Sequence, residues 1–375
     1  MNTYFVVTGA GGFLGSEICR QLLRRKSGSN LSSSFEIKAL CFDEKDSLNV
    51  PESIQIYYGN ILNKPDLEQL FCDEGIYYFI HCAGKISVRK KAEEIYKTNY
   101  LGTKNVIKVC QKHNVKRLVY VSSVEALNPY LNHVFNNKSL VSEIDDNFSS
   151  KSLDNKSLSG TGNDTFSKLL KQGILSEPDY YQVHSCKSEY SRSKSLATKA
   201  VLDASNEGLD SVVCMPSCII GPGDKNGGFI STMFSGYANM HLRISITGGS
   251  DFVDVRDVAS GILKACFNGK KGNIYILSGS FSSVTDAFNV MAEHLGRKKI
   301  SISLPGQLLY LASPFISFIA FLKKKEPILN AYATYLLVSN IHYSNEKAKN
   351  ELGYEVMSFE KSITDTLDFL EDEAK

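Results

Sequence analysis

The sequence predicts an α/β protein built on an open, doubly wound parallel sheet, followed by a smaller C-terminal lobe. Three observations carry this prediction. The first third of the chain alternates short apolar runs with helical stretches, and a glycine turn joins the first run to the first helix. The chain has 375 residues, 43% of them hydrophobic, which is enough to bury a large core. Regular alternation of strand and helix is typical of a parallel sheet covered on both faces.

The predicted elements follow one another in a regular order. The predicted strands are Tyr4–Thr8, Ile37–Phe42, Ile54–Tyr58, Tyr77–Cys82, Leu118–Ser122 and Ser211–Met215. The predicted helices are Leu67–Asp73, Tyr96–His113 and Tyr190–Asn206. Residues 27–34 are predicted to form a short polar loop. Residues 132–179 are rich in Ser, Asn and Lys, a composition that buries little apolar surface, so we expect a flexible surface insertion there.

A glycine turn directly follows the first strand. Gly9, Gly12 and Gly15 have the spacing G-x-x-G-x-x-G, which permits a tight turn, close approach of a pyrophosphate, and close packing of helix on strand. The helix N-terminus then faces the anion. Because a strand precedes the turn and a helix follows it, the motif predicts a Rossmann-type dinucleotide site. We therefore expect an NAD(P)-binding domain over residues 1–215. Residues 216–375 are expected to form mainly a substrate-binding lobe, with 251–268 returning to the first domain.

Composition narrows the functional classes. The formal net charge of +2 and the scattered lysines argue against nucleic-acid binding. Nine irregularly spaced cysteines indicate buried thiols in a reducing compartment, and none of their spacings predicts a metal site.

The chain starts directly in a strand, so we expect no signal peptide and a cytoplasmic protein. Residues 308–322 are apolar but shorter than the ~20 residues that a membrane span needs, which favours a buried helix without excluding membrane contact. The oligomeric state stays open, with a homodimer as one option.

Tyr-x-x-x-Lys pairs are the candidate chemical groups, because residues four apart share one face of a helix. Three such pairs occur, namely Tyr190/Lys194, Tyr100/Lys104 and Tyr343/Lys347. With 19 tyrosines in the chain, some pairs arise by chance, so position must distinguish them. Tyr190 opens a helix that leads into the strand from Ser211, after an earlier strand that ends near Ser123. The other two pairs are expected to be surface pairs.

Specific motifs along nearly the whole chain resemble the extended short-chain dehydrogenases/reductases of the NAD-dependent epimerase/dehydratase superfamily. These motifs are TGAGGFLG from Thr8, HCAG from His81, NYLGT from Asn99, VSSVE from Val121, YSRSK from Tyr190, PSCIIGPGD from Pro216 and DFVDVRDVA from Asp251. The VSSVE motif, the NIYILSG stretch from Asn273 and the C-terminal segment are most similar to the dihydroflavonol reductase and 3β-hydroxysteroid dehydrogenase branch.

The resemblance implies catalytic roles for three residues. Tyr190 would be the general acid or base, and Lys194, together with an oxidised nicotinamide, would bring its pKa toward the working pH. Ser123 would donate a hydrogen bond to the substrate carbonyl, with Ser122 as the competing candidate. Asn99 would support a water-linked proton path, although a structural hydrogen bond at a helix start is an equal alternative.

The resemblance also implies a nicotinamide cofactor. No arginine follows the second strand, where relatives that use NADP carry one; Phe42 occupies that place and Asp43 follows it, which favours NAD over NADP. Asn60 matches a position that contacts the adenine edge, with a turn role as the alternative. The implied cofactor-binding residues are Gly9, Gly12, Phe13, Leu14, Gly15, Asp43, Asn60, Ile61, Cys82, Ala83, Gly84, Asn99, Tyr190, Lys194 and Pro216.

The resemblance therefore implies an NAD(P)-dependent oxidoreductase that interconverts a secondary alcohol and a ketone on a bulky, largely apolar small molecule, steroid-like or flavonoid-like. One alternative is a nucleotide-sugar epimerase or dehydratase, which would use the same Ser, Tyr and Lys and bind a diphosphate with Arg243 or Arg256. A second alternative is a cofactor-sensing protein without catalysis. The presence of Ser123, Tyr190 and Lys194 argues against this alternative.

Overall fold

The structure is a computed structural model that describes residues 2–28, 35–86, 92–130, 174–183, 186, 188–225, 234, 237, 244–306 and 340–373. The apolar stretch 308–322, and residues 132–173 of the predicted insertion, lie outside these ranges. Within them, no helix combines the length and the apolar character that crossing a bilayer requires.

Short strands and longer helices alternate along the described chain. The strands are β1 (Asn2–Thr8), β2 (Phe35–Cys41), β3 (Gln55–Tyr58), β4 (Gly75–His81), β5 (Arg117–Val121), β6 (Ile174–Leu175), β7 (Ser211–Pro216), β8 (Cys218–Ile220), β9 (Ile244–Ile246), β10 (Gly249–Asp254), β11 (Ile274–Leu277), β12 (Ser280–Ser283), β13 (Ile302–Leu304) and β14 (His342–Tyr343). The α-helices are α1 (Phe13–Gly28), α2 (Glu44–Ser47), α3 (Lys64–Glu68), α4 (Ala92–Tyr96), α5 (Thr103–Lys112), α6 (Glu189–Asn206), α7 (Val255–Asn268), α8 (Val284–His294), α9 (Glu346–Leu352) and α10 (Phe359–Glu373).

Seven strands form one parallel sheet in the order β3-β2-β1-β4-β5-β7-β11. The order reverses between β1 and β4, and in open α/β sheets ligands bind beyond the carboxyl ends of the strands at such a switch point. The predicted fold class is confirmed. Each predicted strand is present with ends displaced by at most two residues, and β11 was not among the predicted strands.

Both faces of the sheet are buried, as the apolar strand sequences require. Successive β1 side chains alternate between two cores: Tyr4 and Val6 pack with α5 and α6 residues, whereas Phe5 and Val7 pack with α1 and α7 residues. Val6 and Val7 have no exposed surface, and burying one such side chain stabilises the fold by about 1.5–3 kcal/mol.

A smaller lobe has its own core. Strands β8, β10 and β12 form a three-stranded sheet, which packs with α8 and α10 around Phe252, Met291 and Ile363. Helix α7 packs on the large sheet, and the later elements β11 and α9 join it there, whereas residues 251–254 lie in β10 of the smaller sheet. The domain boundaries stay a prediction. At the end of the predicted insertion, β6 pairs with β14 and buries Leu175.

A chain of buried polar side chains ties the carboxyl ends of β1 and β4 to α5. The His81 ring contacts Thr8 Oγ1 through Nδ1 at 2.7 Å and Thr103 Oγ1 through Nε2 at 3.0 Å. Thr103 in turn donates to the carbonyl of Asn99 at 2.6 Å. Burial, with a smaller contribution from Lys194, lowers the pKa of His81 from 6.5 to about 3. The ring is therefore neutral at physiological pH.

The buried His81 should make the protein less stable in acid. Between pH 3 and 6.5 the unfolded chain protonates this histidine and the folded chain does not, so the free energy of unfolding falls as the pH drops through that window. The slope from one such group is at most ~1.4 kcal/mol per pH unit. We expect His81→Gln, which keeps a donor and an acceptor, to show a shallower pH dependence in urea unfolding. Equal slopes for the variant and the wild type would contradict this account.

Candidate active site

The glycine turn lies at the switch point of the large sheet, against the loop that follows β4. Gly9 has a φ of +67°, and a Cβ on it would lie 2.7 Å from Ala83 Cα. A Cβ on Gly15 would lie 2.0 Å from the Gly9 carbonyl oxygen, and one on Gly12 would lie 3.2 Å from the same atom. The turn is therefore too close-packed for side chains. The α1 helix begins at Phe13, where the first-turn N–H groups have no intrahelical acceptor and can bind an anion.

The turn after β2 packs against the glycine turn. A Cβ on Gly11 would lie 1.9 Å from the Asp46 carbonyl oxygen, and Asn49 Nδ2 donates to the Gly11 carbonyl at 2.8 Å. Asp43 caps α2, because its Oδ1 accepts from Asp46 N at 2.8 Å. Phe42 is 62% exposed beside it. The carboxylates of Asp43 and Asp46 and the exposed ring of Phe42 thus border the place predicted for the adenosine half of the cofactor.

Asn60 and Ile61 follow β3. Asn60 Oδ1 accepts from Leu62 N at 2.9 Å, which is the turn role considered as its alternative. Ile61 is buried, and its side chain lies where a Cβ on Gly102 would be. A role of Asn60 toward adenine stays a prediction.

The two serines after β5 have different surroundings. Ser122 is buried, and its hydroxyl lies 2.7 Å from Thr198 Oγ1 of α6. Ser123 accepts a hydrogen bond from Glu125 N at 3.2 Å, and its hydroxyl lowers the pKa of the Tyr190 phenol by hydrogen bonding. Ser123, and not Ser122, therefore stands at the predicted proton donor.

Tyr190 lies half-buried in the first turn of α6. Burial and the nearby Glu125 carboxylate raise the pKa of Tyr190 above 10.0, and the Ser123 hydrogen bond offsets part of this rise. The lowering expected from Lys194 is not among the causes of this shift within the described structure. The phenol is protonated at neutral pH.

Lys194 points into the core of the site from one turn further along α6. Its Nζ donates to the Val121 carbonyl at 2.8 Å and lies over the Tyr120 ring. Burial lowers the pKa of Lys194 to about 8, and the Cys82 thiol opposes this shift. A Cβ on Gly84 would lie 3.4 Å from Nζ, so glycine at this position keeps the space beside the ammonium open.

Asn99 connects the β4 loop to α6. Its Oδ1 accepts from Lys85 N at 2.7 Å, and its Nδ2 donates to Lys85 O at 3.0 Å and to Ser193 Oγ at 3.1 Å. It lies in a π-helical turn, Lys97–Gly102, a distortion that is frequent at functional sites. These contacts are structural, and a water-linked proton path through Asn99 stays a prediction.

The remaining predicted residues also lie at this edge. Cys82 N donates to the Thr8 carbonyl at 3.2 Å, and Pro216 ends β7. The other two Tyr/Lys pairs lie elsewhere. Tyr343 and Lys347 do not share a helix, since Tyr343 is in β14 and Lys347 in α9, and both are half-buried. Tyr100 is also half-buried.

Sequence reasoning missed three features of the site. Asp46 was not considered, although the D-x-x-D spacing after β2 is a signal for a capping turn. The Thr8–His81–Thr103 connection joins residues far apart in the chain, so no local pattern reveals it. Glu125 entered only as the last residue of the VSSVE motif, and nothing in the sequence indicates that it acts on Tyr190.

Two family descriptions match successive parts of the chain. Residues 6–160 match the 3-beta hydroxysteroid dehydrogenase/isomerase family, and residues 171–278 match the NAD dependent epimerase/dehydratase family. Several relatives match over nearly the full chain, among them the following three. The sterol-4-alpha-carboxylate 3-dehydrogenase (decarboxylating) of Schizosaccharomyces pombe is 26% identical, covering 100% of this chain and 99% of its own. Sterol demethylase protein B of Methylococcus capsulatus is 22% identical, covering 96% of each. Short-chain dehydrogenase/reductase family 42E member 1 of Macaca fascicularis is 25% identical, covering 95% and 84%.

Solved structures share the fold. The UDP-glucose 4-epimerase of Thermotoga maritima superimposes with a TM-score of 0.68 at 17% identity over 100% of both chains. The dTDP-glucose 4,6-dehydratase of Bacillus anthracis, crystallised with NAD, gives 0.66 at 18% identity over 99% of this chain and 97% of its own. These two structures show the shared fold. The two family matches and the full-length relatives show that the chain belongs to the extended short-chain dehydrogenase/reductase superfamily of NAD-dependent enzymes.

Proposed function

We propose that the protein is an NAD-dependent dehydrogenase that interconverts a secondary alcohol and a ketone on a sterol-like substrate. The observation that carries the proposal is the buried Lys194, whose Nζ is held on the Val121 carbonyl at 2.8 Å one helical turn after Tyr190 on α6. The Ser123 hydroxyl acts on the phenol of Tyr190 and lowers its pKa. Two of the full-length relatives have sterol in their names, which supports this substrate class.

The residues at the switch point fit a dinucleotide. The close-packed glycine turn and the start of α1 would hold the pyrophosphate, and the space above Gly84 would take the ribose next to Lys194. A bound nicotinamide supplies the hydride acceptor or donor. Asp43 and Phe42 would border the adenosine.

Tyr190, Ser123 and Lys194 would each have a separate role in the reaction. Tyr190 would give its proton to the carbonyl oxygen in reduction, or take one from the hydroxyl in oxidation. Ser123 would bond the same oxygen and stabilise the charge that develops on it. Lys194, held on Val121 O, would bind the ribose hydroxyls with its ammonium.

The nucleotide-sugar alternative receives less support. Arg256, one of the two arginines considered for a diphosphate, is already engaged with Asp254 and Asp365, each at 2.7 Å. The other, Arg243, lies outside the described residues.

The substrate class can be tested with a panel. We expect the purified protein with NAD⁺ to form NADH when given a 3β-hydroxysterol, with or without a 4-carboxylate, and the protein with NADH not to consume it when given a dihydroflavonol, which carries the ketone. Absorbance of the reduced nicotinamide measures both reactions. Epimerisation or dehydration forms no net NADH, so UDP-glucose is analysed by chromatography, and its conversion without oxidation of the sterol would overturn the proposed substrate.

Tyr190→Phe should remove nearly all turnover and leave cofactor binding intact, because the hydroxyl carries the proton and the ring mainly packs. Acid/base groups contribute about 10²–10⁴-fold, so we expect at least a ~100-fold loss in kcat. Tyr100→Phe is the matched control and should stay near the wild-type rate. If Y190F retained a tenth or more of the wild-type rate, Tyr190 would not be the proton donor.

NADH should bind more tightly than NADPH. The exposed carboxylate of Asp43 and the half-buried carboxylate of Asp46 lie next to Phe42, and they would repel the additional phosphate. We expect a preference of about tenfold, or ~1.4 kcal/mol, in fluorescence titrations. Phe42→Arg should reduce or reverse this preference. Tighter NADPH binding by the wild type would instead point to Lys45 as the phosphate partner.

A further inference from the structure

Tyr120 is a buried aromatic residue of β5 that belongs to the core shared with α6. In the parallel sheet it lies directly opposite His81 of β4 and Val213 of β7. Successive side chains of a strand point to opposite faces, so Val121 belongs to the core on the other side of the sheet. The sheet therefore presents the Tyr120 ring to the helix that carries Lys194.

The face of the Tyr120 ring is covered by the ammonium of Lys194. Nζ lies over the ring, 5.2 Å from its centroid. This distance is within the ~6 Å at which the electron-rich face of an aromatic ring attracts a cation. The same ammonium donates to the Val121 carbonyl at 2.8 Å. Two adjacent residues of β5 therefore hold Lys194, one through its side chain and one through its main chain.

One side of the Lys194 ammonium stays open toward the loop that follows β4. A lysine ammonium has three N–H donors. Within the described ranges its one hydrogen-bond acceptor is the Val121 carbonyl, and the Tyr120 ring covers a second side. A third side faces Gly84, where an added Cβ would lie 3.4 Å from Nζ. This open side is directed at the place proposed for the cofactor ribose.

The Tyr120 ring is itself held in place by the polar chain at the ends of β1 and β4. The imidazole of His81 packs on it, with 5.6 Å between the ring centroids and 33° between the ring planes. That imidazole is fixed in turn by Thr8 Oγ1 and Thr103 Oγ1. Because only 1% of Tyr120 is exposed, the ring is closely packed and its face stays against Nζ.

We propose that Tyr120 is a positioning residue, which acts through Lys194: its ring face keeps the ammonium charged and directed at the cofactor ribose. The inference rests on the proposed role of Lys194 in binding that ribose. Without the ring, the buried ammonium would keep a single polar partner, and a poorly paired charge in the core is costly. The lysine would then lose its proton at a lower pH, and the ribose would lose a charged donor.

The ionisable groups nearest to Lys194 are neutral at physiological pH. Burial, with a contribution from Lys194 itself, lowers the pKa of His81 on β4 to about 3. Burial raises the pKa of the Cys82 thiol to about 12 and that of the Tyr190 phenol above 10.0. None of the three therefore supplies a negative charge to the ammonium.

Charged side chains on the helices that pack against α6 are engaged elsewhere. On α4, Glu93 pairs with Lys97 at 2.6 Å and Glu94 pairs with Lys85 at 3.5 Å. The lysines of α5 are exposed, namely Lys104, Lys108 and Lys112. The Glu125 carboxylate, on the turn after β5, acts on Tyr190 and is not among the causes of the Lys194 shift within the described structure.

The test is the pH dependence of NADH binding to the full-length protein, measured by fluorescence titration across neutral and alkaline pH without substrate. We expect the affinity of the wild type to fall as the pH rises through about 8, where Lys194 loses its proton. Tyr120→Leu and Tyr120→Met both remove the ring face, and each should lower the pH of this fall by about one unit. Tyr120→Phe keeps the ring face and should retain the wild-type pH.

Two controls separate this effect from general damage to the core. Leu118→Ala removes a buried side chain of the same strand and the same core, and should leave the pH of the fall unchanged. Lys194→Met should abolish the fall; if the fall persists, Lys194 does not bind the ribose, and the role on which the inference rests is wrong. A fall at the wild-type pH in Y120L and Y120M, with none in K194M, would overturn the role of Tyr120 alone. An equal shift in L118A would overturn it as well.

Discussion

Helix α6 lies along the carboxyl end of β5, and the candidate site depends on this contact. Two hydrogen bonds fix the register: Lys194 Nζ to the Val121 carbonyl at 2.8 Å, and Ser122 Oγ to Thr198 Oγ1 at 2.7 Å. Fully buried Ala197 and Val201 on the same helix pack in the core. A shift of α6 by one residue would turn Tyr190 away from Ser123, since successive helical positions differ by about 100°.

The same contact accounts for the electrostatics of the site. An ammonium in the core is costly unless it has partners, and Lys194 has a carbonyl and an aromatic ring, yet its pKa still falls to about 8. The Lys194 charge adds to the effect of burial in lowering the pKa of His81, so His81 remains neutral. The phenol of Tyr190 is held protonated by burial and by Glu125. The site thus combines a cation and a neutral acid, an arrangement suited to protonating a carbonyl oxygen.

Local patterns predicted the sheet and the glycine turn because the residues concerned are adjacent in the chain. Apolar runs marked six of the seven parallel strands, but β11 was recognised only as part of a motif. The choice of Ser123 over Ser122 followed from the resemblance, and its physical reason, the contact with Thr198, joins residues far apart in sequence. The direction of the Tyr190 pKa shift was not predictable either. It depends on burial and on Glu125, whereas the sequence suggested Lys194 as the dominant influence.

Isotope transfer tests the central claim, which is that the site at this edge of the sheet catalyses net hydride transfer between an alcohol carbon and the cofactor. A 3β-hydroxysterol with deuterium on C3 would be incubated with the protein and NAD⁺, and the products analysed by mass spectrometry. The account predicts a 3-ketosterol without the label and one deuterium in the reduced cofactor. Deuterium returned to the carbon of an epimerised product, or released to solvent, would contradict it.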